Sequence, residues 1–238
     1  MHELCGGKHV KPAAHAFSQA EIDAVYRAIA ERRDMRHFTS ASVAPALLAR
    51  LLQAAHHGPS VGFMQPWRFI RVVSAAKRAA LHALVEEERI ATAHALGVRE
   101  DEFMRLKVEG VRDCAELLVV ALMERREAHV FGRRTLPEMD LASIACAIQN
   151  MWLAARAEGI GMGWVSLFDP VKLAVLFGLP EGAKPVAVLC IGQVEQFYER
   201  PMLEQEKWAA RADLPAFVFD DRWGDPSSVM LPSSQPTR

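Results

Sequence analysis

The chain has 238 residues, 51% of them apolar, with 28 Lys+Arg against 29 Asp+Glu and a net charge of −1. A chain of this size and polarity can bury roughly 70–75% of the surface it would expose unfolded, without help from disulfides or metals. The even charge argues against general nucleic-acid binding, which needs a basic excess, but leaves room for one local basic pocket. Residues 1–17 read as a flexible tail without the apolar stretch of a signal peptide. Ser18 opens a helix, with Glu21 placed for a capping box and Ile22, Val25, Tyr26 and Ile29 at helical spacing. That helix runs into a charged knot, Arg32 to Arg36. A second helix covers Pro45–His56 and stops at Gly58-Pro59.

Trp67–Val73 reads as a strand and Ala75–Leu96 as a long helix ended by Gly97. Residues 98–112 read as a short helix and loop. Leu117–Met123 reads as a buried strand, the most apolar run in the chain and far too short to span a membrane. After a basic connector at 124–137 a long helix runs over Glu138–Glu158. It is apolar on most faces and expected to be central and buried. A strand at Gly161–Leu167, a helix at Pro170–Leu179 and a buried strand at Lys184–Val194 follow. From Phe197 the chain holds aromatics without periodicity, which reads as an extended arm. Residues 225–238, rich in Pro and Ser, read as disordered. The interspersed helices favour α+β or α/β over any all-β fold.

Cys5, Cys114, Cys146 and Cys190 are widely separated and show no zinc spacing. Cys146 and Cys190 lie in apolar runs and are expected to be buried free thiols. That suits a reducing compartment and a soluble, cytoplasmic protein. The histidines show no metal-binding spacing. Neither a Rossmann fingerprint nor a P-loop nor a nucleophile elbow is present.

Three segments carry groups suited to chemistry. Arg32, Arg33 and Arg36 make a strong local positive field, a plausible phosphate cradle or else a solvated charged face. Gly58 to Trp67 is a tight turn leading into a strand. Its Ser60 and Gln65 offer both donors and acceptors to a heterocycle, although an ordinary connector has the same composition. Gly159, Gly161 and Gly163 permit close backbone approach, and Ser166 ends the strand that follows. The plain alternative there is a helix cap and a glycine-rich strand start.

Taken together, RRDMRHF, GPSVGFMQPWRFI, LASIACAIQNMWLAARAEGIGMGWVSLFDP and IGQVEQFYERPMLEQEKW resemble the nitroreductase-like flavoproteins. Within them they are similar to the 5,6-dimethylbenzimidazole synthases, which make the lower ligand of cobalamin. The likeness covers Phe17 to Gly224. It implies an α+β nitroreductase-like fold: a central, mostly antiparallel sheet flanked by helices, in an intertwined homodimer with an extended C-terminal arm. It also implies an oxidoreductase that consumes reduced FMN as substrate with O2 as co-substrate. The products are 5,6-dimethylbenzimidazole and a sugar phosphate, and the reductant comes from NAD(P)H through a separate flavin reductase.

By the same resemblance Arg32 binds phosphate, and Arg33, Asp34 and Met35 lie in the same contact stretch. Arg36 approaches the pyrimidine edge, while Ser60 and Gln65 contact the ring and ribityl chain. Leu106 and Lys107 belong to a lid over residues 89–112, Ser166 faces flavin N5 and O4, and Arg200 adds a phosphate contact. Asp34 stands where ordinary nitroreductases usually carry a small hydroxyl residue, and a carboxylate there suits a general base. Neighbouring arginines favour its charged form and burial its neutral form. The alternatives are an FMN-dependent NAD(P)H nitroreductase or quinone reductase that recycles its flavin, and a flavin-binding protein without catalysis.

Overall fold

Two apolar strands organise the fold. β2 (Glu116–Leu122) and β4 (Lys184–Gly192) lie at the centre of a four-stranded sheet ordered β1-β2-β4-β3, with β1 Trp67–Arg71 and β3 Gly161–Val165 at the edges. Every pairing is antiparallel. The computed structural model describes residues 15–230.

An unbroken apolar strand usually signals a parallel sheet covered on both faces. Here the sheet is antiparallel, yet both faces are covered. Leu118, Val120 and Leu122 of β2 and Leu189 and Ile191 of β4 pack in one core with α2 (Pro45–His56) and α5 (Met139–Ala157). Leu117 and Val119 of β2 and Val188 and Cys190 of β4 face a second core, with α3 (Ala75–Leu96) and α6 (Pro170–Phe177). The period-two alternation is present, but both sides of it are apolar. Pro185 is tolerated in a central strand because the β2–β4 register shifts between Val120 and Ala121.

Local signals set the helix ends. Glu21 accepts from the Ser18 N–H at 2.9 Å and opens α1 (Gln19–Glu31). Asp169 accepts from the Val171 and Lys172 N–H groups at 2.7 and 3.1 Å, with Pro170 opening α6 and Gly178 closing it at φ 66. Residues 98–112 form α4 (Glu100–Arg105) and a loop, folded onto α3 by Arg89, whose guanidinium donates to the Met104 carbonyl at 2.6 Å.

The basic connector has an internal staple. Asp140 Oδ2 takes Arg126 Nε at 2.9 Å and Arg133 Nη2 at 3.0 Å, with Asp140 and Arg133 both buried.

Two expectations need correction. α5 buries Ile144, Ala147, Ile148, Met151 and Trp152, but Met139 and Leu141 in its first turn stay exposed in the single chain. Cys146 is exposed, against expectation, whereas Cys190 is buried as expected. Periodicity in a helix apolar all round cannot say which face the same chain covers.

Among the described residues, 15–197 and 198–230 fall in separate compact units. The second holds α7 (Met202–Gln205), a bridge between Phe219 and Pro226, and a Phe219–Trp223 ring contact at 5.5 Å. Within it Asp220 accepts from the Ser228 N–H at 2.8 Å. The remainder of the stretch read as a disordered tail, 231–238, and residues 1–14 of the N-terminal tail lie outside the described residues.

Candidate active site

β3 is an edge strand, so its outer N–H and C=O groups need partners from elsewhere. The segment after α1 supplies them. The Met35 N–H donates to the Met162 carbonyl at 3.0 Å. Asp34 Oδ1 accepts from the Trp164 N–H at 2.9 Å, and Arg36 Nη2 donates to the Trp164 carbonyl at 2.8 Å. Arg36 Nη2 also pairs with Asp34 Oδ2 at 2.6 Å. Asp34, Arg36 and the backbone of Trp164 therefore form a closed hydrogen-bonded ring.

Glycine makes this approach possible. A Cβ on Gly163 would lie 2.2 Å from the Met35 carbonyl oxygen and 2.6 Å from Arg36 Nη1. One on Gly161 would lie 2.3 Å from a Val194 methyl. The close approach that Gly161 and Gly163 permit is thus to the chain's own segment. Gly159, at φ 73, is the helix cap.

The Asp34 carboxyl is recessed among protein atoms but keeps one open side, with 44% of its side-chain surface exposed. Its pKa is raised above the ordinary carboxylate value. Burial is the largest cause and outweighs the opposing pull of Arg36, the Trp164 N–H and Arg32. The competition that sequence left open is decided by the recess.

Trp152 of α5 organises the arginines and was read in the sequence only as core. Its indole N–H donates to the Arg33 carbonyl at 3.1 Å, and the Arg32 guanidinium stacks on its ring at 4.6 Å. The available signal was the indole N–H, which needs a partner when buried. Arg36 is 7% exposed, and Met35 lies wholly in the core and contributes only its backbone. Ser166 is exposed, two residues beyond Trp164.

The other candidates lie elsewhere. Ser60 Oγ accepts from the Gln65 N–H at 3.1 Å and fixes a turn in which Gly62, Phe63 and Gln65 all have positive φ. This turn docks on α5 through the Val61 N–H, which donates to Ser143 Oγ at 3.0 Å. Ser143 and Trp152 are nine residues apart. On a helix that is half a turn round and about 13 Å along the axis. One chain therefore holds Ser60 and Gln65 on one side of α5 and the arginine segment on the other.

Leu106 is turned inward at 5% exposure, and Lys107 pairs with Asp113. Gly110 in the same loop packs on Phe38 and the Arg36 carbonyl. Arg200 is exposed in the second unit.

An antiparallel sheet whose edge strand is capped by an arginine segment beside a recessed carboxylate makes a candidate anion-binding site. The chain belongs to the nitroreductase family, whose pattern matches residues 29–193. Within that family it is 39% identical over 196 residues to the 5,6-dimethylbenzimidazole synthase of Rhodospirillum rubrum, covering 77% of this chain and 88% of the relative. It is 37% identical to the 5,6-dimethylbenzimidazole synthase of Rhodobacter capsulatus, covering 81% and 94%. Among solved structures, the NADPH:FMN oxidoreductase from Vibrio harveyi complexed with NAD+ shares the fold at a TM-score of 0.65. It is 19% identical, and the match covers 86% of this chain and 80% of that one. Among the described residues no helix is long and apolar enough to cross a membrane.

Proposed function

We propose that the chain is a 5,6-dimethylbenzimidazole synthase. Its substrates are reduced FMN and O2, its products are 5,6-dimethylbenzimidazole and a sugar phosphate, and a separate flavin reductase supplies the reduced flavin from NAD(P)H. The observation that carries this reading is the recessed Asp34 carboxylate, held at the β3 edge between Trp164 and Arg36. The high identity to the two synthases supports it.

The donor set suits FMN. Arg32 and Arg33 offer fixed positive charge to a phosphate. Ser60 and Gln65 offer hydroxyl and amide groups to a ring with mixed edges. Bound reduced flavin supplies the electron-rich ring system that O2 attacks.

The protein's own groups then divide the work. Trp152 fixes Arg32 and the Arg33 backbone, so the phosphate anchor is set before binding. Arg36 and the Trp164 N–H orient Asp34, and the recess raises its basicity. Asp34 is the general base that removes a proton from the ribityl side. Ser166 relays protons at the N5 edge. Residues 89–112, with Leu106 and Lys107, form a lid that keeps water away. Arg200 adds a phosphate contact.

The active species is a homodimer whose sites each take the arginine segment from one chain and the Ser60–Gln65 turn from the other. The separation of these segments across α5 supports this. So do the exposed Met139 and Leu141 of α5, and α1, which buries no residue within its own chain. The arm from residue 198, with Phe217 and Trp223 exposed, packs on the partner.

The test incubates purified protein with reduced FMN in air and follows 5,6-dimethylbenzimidazole by chromatography and mass. Product in proportion to FMN lost is the expected result. FMN returned intact and oxidised would instead favour a flavin-recycling nitroreductase.

A further inference from the structure

We propose that His82, Glu86 and Glu109 form a binding site for a divalent transition-metal cation of the zinc type. The inference stands independently of the flavin chemistry. His82 and Glu86 lie one turn apart on α3 and so share a face. Glu109 comes from the loop after α4. His82 Nε2 lies 3.6 Å from Glu109 Oε1 and 4.0 Å from Glu86 Oε1. One ligand atom from each residue falls within 4.8 Å of the other two.

These separations are informative. A charge-assisted hydrogen bond between imidazolium and carboxylate would close to about 2.7–2.9 Å. Ligands ~2.0–2.1 Å from a shared tetrahedral ion stand roughly 3.4 Å apart. The three atoms face one another without touching, and the wider pairs must close from as much as 4.8 Å to hold an ion. One imidazole with two carboxylates suits a first-row divalent cation, with water completing the coordination.

The outer oxygens are held in place. Glu109 Oε2 accepts from the Val111 N–H, and Glu86 Oε2 takes Arg89 Nη1 at 3.3 Å. Each carboxylate thus points its Oε1 at the convergence and has its Oε2 fixed, the arrangement by which second-shell contacts orient metal ligands.

Arg112 lines the cavity at His82 and Arg105 the one at Glu86 and Glu109, while three other cations nearby have further partners. Arg89 also donates to the Met104 carbonyl at 2.6 Å, Lys107 pairs with Asp113, and Arg78 Nη1 donates to the carbonyls of Val111 and Cys114 at 2.8 and 2.7 Å. A cavity of about 230 Å³ reaches His82 and another of about 260 Å³ reaches Glu86 and Glu109, so an ion has a way in. A bound ion would tie the 106–113 loop, which packs on the Arg36 carbonyl through Gly110, to the α3 scaffold.

The experiment titrates chelator-treated full-length protein with Co2+, reads the visible ligand-field spectrum and then displaces the cobalt with Zn2+. The expected result is one strongly bound Co2+ per chain, with tetrahedral-type bands, a rise in melting temperature, and loss of both in His82→Gln and in Glu109→Gln. Glu87→Gln, at an exposed position on the same helix, keeps the wild-type titration. Two variants guard against one that fails to fold, and circular dichroism checks each. A flat titration, or cobalt bands that survive both substitutions, overturns the proposal and leaves the triad a set of polar side-chain contacts.

Discussion

Asp34 Oδ1 lies 2.9 Å from the main-chain nitrogen of Trp164 and accepts its hydrogen bond. The group assigned as base is therefore also the cap of an edge strand, and fold and chemistry share one side chain. Asp34→Asn keeps the shape and removes the basicity. Product formation from reduced FMN should fall by about 10²–10⁴-fold, the usual worth of a general base, while FMN still binds. Turnover at the wild-type rate would remove Asp34 from the mechanism.

The raised pKa of Asp34 fixes the sign of two pH effects. The base works as carboxylate, so the acid limb of the rate profile should lie above that set by an unperturbed aspartate. For stability the direction is opposite. A carboxyl whose folded pKa exceeds its unfolded value favours the fold when neutral, and that benefit is lost as pH rises through the folded pKa. Asp34→Asn should therefore melt no lower than wild type at pH 7, and any gain should vanish on acidification below the unfolded value. Thermal melts of the two proteins from about pH 3 to about pH 8 check this. A lower melting point for the variant at pH 7 would show that the pairing with Arg36 outweighs the recess.

Gly163→Ala tests the close packing beneath the site. The added Cβ would fall 2.2 Å from the Met35 carbonyl oxygen, so the Asp34–Arg36 segment must move. We expect a loss of about 1–3 kcal/mol in stability, as for other overpacked sites, together with weaker FMN binding. Denaturant titration and flavin fluorescence read the two effects separately. Wild-type values in both would mean that the segment adjusts freely.

Much of this was legible in the sequence. Ser18, Gly58 and Gly97 mark helix ends by local chemistry, and the apolar runs at 117–123 and 184–194 locate the central strands. What was hidden depends on pairing across long sequence separations. The spacing of Gly161 and Gly163 shows that something comes close, but not that it is Met35. The run Met139–Trp152 shows an apolar helix, but not that Leu141 and Cys146 lie uncovered in one chain. The basic connector shows its charges, but not that Asp140 draws Arg126 and Arg133 into a buried cluster. His82 and Glu109 are separated by α4 and two loops, and no spacing rule joins them.

That buried cluster yields a stability prediction remote from the site. Asp140→Ala leaves Arg133, itself 9% exposed, with its charge uncompensated. Removing one partner of a buried ion pair costs about 3–5 kcal/mol. The denaturation midpoint should drop accordingly. A shift typical of an exposed ion pair, under about 1 kcal/mol, would mean that water reaches the cluster.

Trp152→Phe isolates the indole N–H. It keeps a ring beneath Arg32 but removes the donor to the Arg33 carbonyl, at a cost of about 0.5–1.5 kcal/mol. FMN affinity should weaken, and Trp152→Leu, which also removes the cation–π contact, should weaken it further. Equal affinities in the two variants would mean that the stack on Arg32 contributes nothing to binding.

The separation of the two halves of the site across α5 leads to a complementation experiment. If each site draws the arginine segment from one chain and the Ser60–Gln65 turn from the other, Asp34→Asn and Gln65→Ala damage different halves. Each variant alone should be impaired at both sites. In a mixed dimer both lesions fall in one site, and the other is intact. Random assembly of the two variants makes half of the dimers mixed, each with one good site of two, so co-expression should restore about one quarter of wild-type activity. Mixing the purified homodimers without subunit exchange should restore none. If co-expression gives only the average of the two single variants, each site is built from one chain, and Ser60 and Gln65 belong to the fold of α5 rather than to the flavin.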